Sequence, residues 1–167
     1  MTSARVHRVE VPQTADAGGS EGGGGLVGAG YASAFELTSP LAGTRTPEEW
    51  ARAAFEDAPA PLRVVLVLGW RLALGLRLGP RPSPGHVLGW PVAETGPHGV
   101  VLEARSGLIT ARNVVTVSAT GVVWSTFVRY ERRIARPVWA VVAPVHHLVI
   151  PYVLARANRR PRPSGPG

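Results

Sequence analysis

Few side chains in this sequence combine a chemically useful group with an apolar setting. His146 lies on the apolar stripe of a predicted C-terminal helix, next to His147. Asn113, Thr126 and Tyr130 are polar side chains on the otherwise apolar face of a predicted sheet. An imidazole, a phenol, an amide and a hydroxyl around an apolar space can orient a ligand or move a proton. The alternative is a polar cluster that satisfies itself inside a core, with His146 bonded to a neighbouring carbonyl.

A predicted antiparallel meander over residues 86–131 places the sheet residues of this set. The turn sequences GPHG, SG and SATG divide the region into four runs in which apolar and polar residues alternate. If these turns set the pairing, every charged side chain from Glu94 onward falls on one face, and a slip of one residue would destroy this sorting. Trp90 sorts with the charged face and is therefore not expected to line a cavity. The predicted neighbours are Leu102 with Ala93 and Ala111, Trp124 with Val115, and Asn113 with Thr126.

Two strands and two helices are predicted ahead of the meander. The strands are Arg5–Val11 and Tyr31–Thr38, joined by a Gly-rich flexible loop that ends at residue 30. Thr46 caps a first helix that runs to about Asp57, since proline and two glutamates follow it directly. The second helix spans roughly Leu62–Leu78, where a Pro-rich segment ends it.

A long apolar helix over about Ile134–Asn158 is predicted to cover the apolar face of the meander. Its uncharged stretch, residues 137–155, is long enough to cross a membrane. Three prolines, two adjacent histidines and a sheet face that needs a cover favour a packed helix instead. The fold class is therefore α+β. The predicted regions are an N-terminal arm and loop over 1–30, a domain over 31–158 and a disordered basic tail over 159–167.

The composition excludes several kinds of site. The chain has 167 residues and no cysteine, which excludes disulfides, a thiol nucleophile and thiolate-bound zinc. Neighbouring histidines on a helix point about 100° apart, so His146 and His147 do not suit one metal ion. Neither a phosphate-binding G-K-[ST] motif nor a G-x-S-x-G elbow occurs, and no cofactor is expected. The polar N-terminus favours a cytoplasmic protein.

The charge of the chain is unevenly distributed. All 18 basic residues are arginine and the net charge is +7. Residues 84–167 hold ten arginines and three carboxylates, a balance that suits phosphates or an anionic membrane surface, or only reflects a GC-rich genome. No aromatic residues alternate with the arginines, so nucleic acid is not an expected partner. Arg63, Arg71 and Arg77 share one side of the second helix, which fits a membrane-surface helix or a core helix with outward arginine stems.

Several short motifs in succession resemble a known superfamily. They are YASAFEL, TPEEWARAAFEDAPAPLR, VLGWPV, VVLEARS, STFVRYE and PVWAVVAPVHHLVIPYVLARA. Over about Tyr31–Ala157 the chain resembles the START-like (Bet v 1-like, SRPBCC) helix-grip superfamily, and within it the bacterial family called domain of unknown function 2867. The resemblance implies a curved antiparallel sheet around a long C-terminal helix, with a cavity for apolar small molecules. Some members are aromatase/cyclases or other enzymes of secondary metabolism, and many only bind or carry ligands.

We therefore expect a hydrophobic or aromatic small molecule to bind between the meander and the helix over 134–158. One alternative is a cofactor-free cyclase, dehydratase or isomerase in the same cavity, with His146 or Tyr130 as proton donor or acceptor. A second is a peripheral membrane protein that uses residues 62–78 and the basic C-terminal half. The identity of the ligand and the oligomeric state do not follow from the sequence. Expected contacts are apolar from Trp124, Val128, Trp139 and Val149, and polar from Asn113, Thr126, Tyr130 and His146.

Overall fold

One seven-stranded antiparallel sheet and three α-helices form the protein in a computed structural model that describes residues 4–12 and 25–159. The curved sheet has the strand order β1-β2-β7-β6-β5-β4-β3, so the fold class is α+β as predicted. Residues 13–24 of the predicted Gly-rich loop and 160–167 of the predicted tail lie outside the described residues. The strands are β1 Arg5–Val9, β2 Tyr31–Thr38, β3 His86–Val87, β4 Trp90–Thr95, β5 Gly99–Arg105, β6 Ile109–Val117 and β7 Gly121–Tyr130. The helices are α1 Pro47–Phe55, α2 Ala60–Leu68 and α3 Ala135–Arg159.

Of the two helices between β2 and β3, α1 begins as predicted, α2 begins at Ala60 rather than at about Leu62, and both end earlier than predicted. Thr46 Oγ1 accepts the N–H of Glu49 at 3.1 Å, and the Glu49 carboxylate accepts the N–H of Thr46 at 3.0 Å, so a reciprocal capping box starts α1. The prediction of one helix to Leu78 is wrong, because α2 ends at Leu68 and a π-helical turn, Gly69–Ala73, follows it. Gly75 then adopts a positive φ of 63°, which turns the chain back toward the sheet.

The predicted pairing of β6 with β7 is confirmed, whereas that of β5 is displaced. Trp124 lies opposite Val115 and Asn113 opposite Thr126. Leu102 lies opposite Asn113 rather than Ala111, because the chain turns at Gly107 and Leu108, one residue later than the predicted turn at Ser106 and Gly107. The displacement is two residues, so each side chain keeps its predicted face.

A β-bulge in β4 overturns the predicted orientation of Trp90. Val92 lies opposite Leu102, but Glu94 already lies opposite Val101, so one extra residue sits between them. The residues before the bulge are therefore turned over relative to the prediction. Trp90 is buried in the inner core, Val92 packs against that core, and Ala93 is exposed.

The outer face of the sheet carries both charges and a small apolar cluster. Glu103 accepts hydrogen bonds from Arg105 and Arg112, the latter across the β5–β6 pair. Burial opposes the charge of Glu103, yet these two guanidinium groups hold the pKa of its carboxyl below the usual value. The apolar cluster lies on the same face as these charged residues. In it, side chains from the segments after β1 and before β2 cover three buried residues of the strands. The cluster comprises Val101, Val114 and Phe127 under Val11, Leu26 and Ala29.

Candidate functional site

A cavity of about 240 Å³ lies between the inner face of the sheet, α2 and α3. The sequence predicted its two walls in the meander and the C-terminal helix, but not the third wall, which α2 and the π-helical turn provide. Among the described residues that line it, none carries a charge at neutral pH. They are Phe55, Val65, Leu66, Gly69, Trp70, Leu74, Trp90, Ala111, Asn113, Thr126, Trp139, Val141, Val142, Val145, His146, Val149 and Ile150.

Asn113 is held in a fixed orientation in the sheet wall. The indole Nε1 of Trp124 and the hydroxyl of Thr126 both donate to Asn113 Oδ1, at 3.1 and 2.7 Å. An indole N–H can only donate, so the amide oxygen must face Trp124 and the amide nitrogen must point the other way. Within the described part of the chain that nitrogen has no hydrogen-bond partner. Asn113 lines the cavity, and its amide nitrogen therefore offers two N–H donors that have no partner there.

His146 is the polar residue of the helical wall. Its Nε2 is buried without a hydrogen-bond partner in the described residues. Burial, with a smaller contribution from the neighbouring His147, lowers the pKa of His146 to about 4. The imidazole is therefore neutral at pH 7 and serves as a hydrogen-bonding group rather than as a cation.

Two tryptophans that line the cavity are also unsatisfied. The indole nitrogens of Trp90 and Trp139 are buried and have no partner among the residues that the structure describes. A buried donor without a partner costs about 1–3 kcal/mol relative to a paired one. Trp139 and His146 are neighbours, with ring centroids 5.7 Å apart, so two of the unpaired nitrogens belong to adjacent rings.

His147 points away from the cavity to the sheet. Its Nε2 shares a hydrogen bond with the Tyr31 hydroxyl on β2, and the two rings stack with centroids 6.0 Å apart. Burial raises the pKa of Tyr31 and lowers that of His147. The contact between Tyr31 and His147 holds α3 against β2. Trp139 lies beside it and packs edge-to-face against the ring of Tyr31.

The cavity brings together five of the eight residues predicted to form the site. Asn113, Thr126, Trp139, His146 and Val149 line it. Three others lie elsewhere. Trp124 is fully buried behind Asn113, Val128 is fully buried in the core, and Tyr130 packs its ring against Gly30 with the Arg136 guanidinium 5.6 Å from its centre.

An aromatic group at one end of the cavity was missed by the sequence reasoning. Trp70 stands 5.2 Å from Phe55 and 5.5 Å from Trp90, centroid to centroid, and all three line the cavity. Phe55 also contacts Trp124 at 4.8 Å. The alternation of the strand placed Trp90 on the charged face and so excluded it from the predicted cavity. Trp70 could have been found from its position among apolar residues of the second predicted helix, because the sequence analysis gave that helix no surface to pack against.

The cavity reaches the surface between α2 and α3. Val65 on α2 and Val141 and Val145 on α3 line it and are also exposed, with 59%, 76% and 52% of their surface accessible. The opening is therefore bordered by aliphatic side chains. An apolar molecule could pass through it without meeting a charged group.

Comparisons of this chain with protein-family models, with curated proteins and with solved structures found no match. Its chemistry is therefore argued from its own residues. Within residues 4–12 and 25–159, no three His, Asp or Glu side chains are grouped so that they could hold a metal ion.

Proposed function

We propose that this protein binds a neutral, largely apolar small molecule that carries a hydrogen-bond acceptor, such as a hydroxyl or carbonyl oxygen. The observation that carries the proposal is the unpaired amide nitrogen of Asn113 on the wall of an otherwise apolar cavity. This nitrogen can only donate. The unpaired nitrogens of Trp90, Trp139 and His146 belong to rings that line the cavity, but the nitrogens themselves have almost no accessible surface there. A donor without a partner favours an acceptor atom in the ligand.

The size and charge of the cavity limit the ligand further. An apolar protein cavity of about 150 Å³ admits benzene. In proportion, 240 Å³ has room for a ligand of about ten non-hydrogen atoms, or for part of a larger one that extends through the opening. A carboxylate or phosphate would lie there without a counter-charge, which is strongly unfavourable in an apolar site.

The arrangement of elements is compatible with a START-like helix-grip domain, and we include that assignment in the proposal. The strand β2, the helix pair, the four-stranded meander and the long terminal helix follow one another in the order expected from the resemblance. The cavity lies on the inner side of the sheet beside α3, where such a domain would hold its ligand.

Binding accounts for the cavity better than turnover does. Tyr130 does not line the cavity, and His146 has a pKa of about 4, so it is a weak base and carries almost no proton at pH 7. No carboxylate is among the described lining residues. A cyclase, dehydratase or isomerase would have only His146 for proton transfer.

The experiment is a calorimetric titration with three probes of one shape: naphthalene, 1-naphthol and 1-naphthoate. We expect 1-naphthol to bind about fivefold more tightly than naphthalene, the equivalent of one net hydrogen bond, and 1-naphthoate not to bind. Ala111→Leu places three more carbon atoms in the cavity and should abolish binding, whereas Ala140→Leu, at an exposed position on α3, should not. Binding that is equal in both variants would refute the proposal, and so would preferred binding of 1-naphthoate. Native mass spectrometry of protein from its own host would then look for a retained molecule.

A further inference from the structure

The exposed apolar side chains of the described residues are concentrated on α2, the π-helical turn and α3, the elements on either side of the opening of the cavity. Eight of the eleven large apolar side chains that are exposed in the described residues belong to α2, the π-helical turn and α3. The most exposed of these eight are Leu72, Val141 and Leu148, at 79%, 76% and 75%. A concentration of this kind on a soluble domain marks a surface that is covered by something else. The eight are Val64, Val65, Leu68, Leu72, Val141, Val145, Leu148 and Tyr152, here called the apolar rim.

The rim residues of α3 form one stripe along the helix. On α3, Val141, Val145, Leu148 and Tyr152 follow the spacing i, i+4, i+7, i+11, which keeps them on one side of the helix. Only 22% of the most apolar 18-residue stretch of α3 is buried, although the helix is long and apolar enough to cross a membrane. The buried residues of α3 include Ile150, Val153 and Leu154, on the side that faces the core. The helix therefore has one side in the core and a second apolar side that the described part of the chain leaves exposed.

The elements that carry the rim bear only positive charge, although Glu56 and Asp57 lie in the segment just before α2. The two helices and the π-helical turn carry five arginines and no carboxylate: Arg63, Arg71, Arg136, Arg156 and Arg159. Arg71 is exposed between Leu68 and Leu72, and the exposed Arg132 and Arg133 directly precede α3. Aliphatic side chains bordered by arginine suit the surface of an anionic bilayer, which accepts the apolar groups and neutralises the arginines. A second copy of the chain on this surface would instead bring its own arginines against the first set.

From these observations we propose that the apolar rim docks on an anionic lipid bilayer, so that the cavity opens into the membrane. The protein would take its ligand from the bilayer or release it there. This inference rests on the proposed function for the identity of the cargo, since a neutral apolar molecule of this kind dissolves in lipid. The docking itself depends only on the exposed side chains and their charges.

The test is co-sedimentation of the full chain with vesicles of phosphatidylcholine, alone or mixed with phosphatidylglycerol. We expect binding to the mixed vesicles, weakened by salt, and little binding to phosphatidylcholine alone. Leu72→Asp and Leu148→Asp should each lower the partition coefficient between vesicles and water at least about tenfold. Each variant removes a leucine side chain that the bilayer would bury when the protein docks. Arg71→Gln should lower it about fivefold on the mixed vesicles only. Ala119→Asp, in the exposed turn between β6 and β7, adds the same charge outside the rim and should leave binding unchanged.

The variants separate this proposal from the proposed function. Leu72 and Leu148 do not line the cavity, so both aspartate variants should bind 1-naphthol as the unchanged protein does. Loss of vesicle binding with retained 1-naphthol binding is the expected result. Vesicle binding without 1-naphthol binding would support docking and refute the proposed cargo.

Three results would overturn the docking proposal. The first is equal binding of all variants to vesicles, or no binding at all. The second is a dimer in sedimentation equilibrium that Leu148→Asp dissociates, which would assign the rim to a second copy. The third is vesicle-bound protein that high salt and alkaline carbonate do not release, which would assign α3 to the bilayer as an inserted helix.

Discussion

Protonation of His146 should make the protein unstable in mild acid. In the folded state its pKa is about 4, while in the unfolded chain an imidazole titrates near 6.5. Between these two values the unfolded state binds a proton that the folded state does not bind. The free energy of unfolding therefore falls as the pH is lowered through this window and is fully retained above it.

The two pKa values give the size of the effect. A difference of about 2.5 pKa units corresponds to about 3 kcal/mol, of which about 2 kcal/mol is lost by pH 5. The titratable side chains whose rings approach His146 are Tyr31 on β2 and His147, its neighbour on α3. The pKa of His147 is also lowered, so His147 adds to the loss in the same direction.

The assay is urea unfolding followed by tryptophan fluorescence at several pH values between about 4.5 and 7.5. His146→Phe keeps a ring of similar size and removes the titrating nitrogen. Between neutral pH and pH 5, the free energy of unfolding of this variant should therefore fall by about 2 kcal/mol less than that of the unchanged protein. The matched control is His98→Gln, which also removes one imidazole, at an exposed position in the turn before β5. Parallel curves for His146→Phe and the unchanged protein would refute the reasoning, because they would mean that water already solvates Nε2.

Three further variants test single features by the same unfolding assay. Asn113→Leu leaves an indole N–H and a hydroxyl without their acceptor and should cost about 2–4 kcal/mol; a loss below about 1 kcal/mol would mean that these bonds do not hold the wall together. Gly30→Ala places a methyl group 2.5 Å from the ring of Tyr130 and should cost about 1–3 kcal/mol, whereas Gly107→Ala, with open space around it, should be nearly neutral. Thr46→Ala removes the N-cap of α1 and should cost about 1 kcal/mol, and an unchanged midpoint would contradict the role of the capping box.

Much of the inner face could be predicted because it depends on parity rather than on exact pairing. Leu102 was assigned the wrong neighbour, yet the error was an even number of residues and the face stayed correct. Asn113 and Thr126 were paired correctly because the turn between β6 and β7 has the predicted length. The cap of α1 followed from local sequence alone, since Thr46 and its partner are three residues apart.

What could not be predicted depends on contacts that are distant in the chain. Pro91 is a local sign of an irregular strand, but it does not show where the alternation changes phase, so alternation alone gave the wrong face for Trp90. To predict the third wall of the cavity, one would have to know where α2 lies over the sheet. The spacing of apolar residues within α2 does not contain that information. Tyr130 was expected in the cavity from its parity, but it lies at the end of β7, where its ring meets Gly30 instead.

The extra residue in β4 reconciles the phase of the two ends of this strand. Without Ala93, the residues Val92, Glu94 and Thr95 would lie opposite Leu102, Val101 and Val100 in an unbroken ladder, and Trp90 would still face the core. Inserting one residue between Trp90 and Val92 would have the opposite effect. If the rest of the strand kept its pairing, the indole of Trp90 would leave the core and the aromatic end of the cavity would lose one of its rings. The shape of the binding space thus depends on the number of residues in one short strand, counted from a turn that lies outside the cavity.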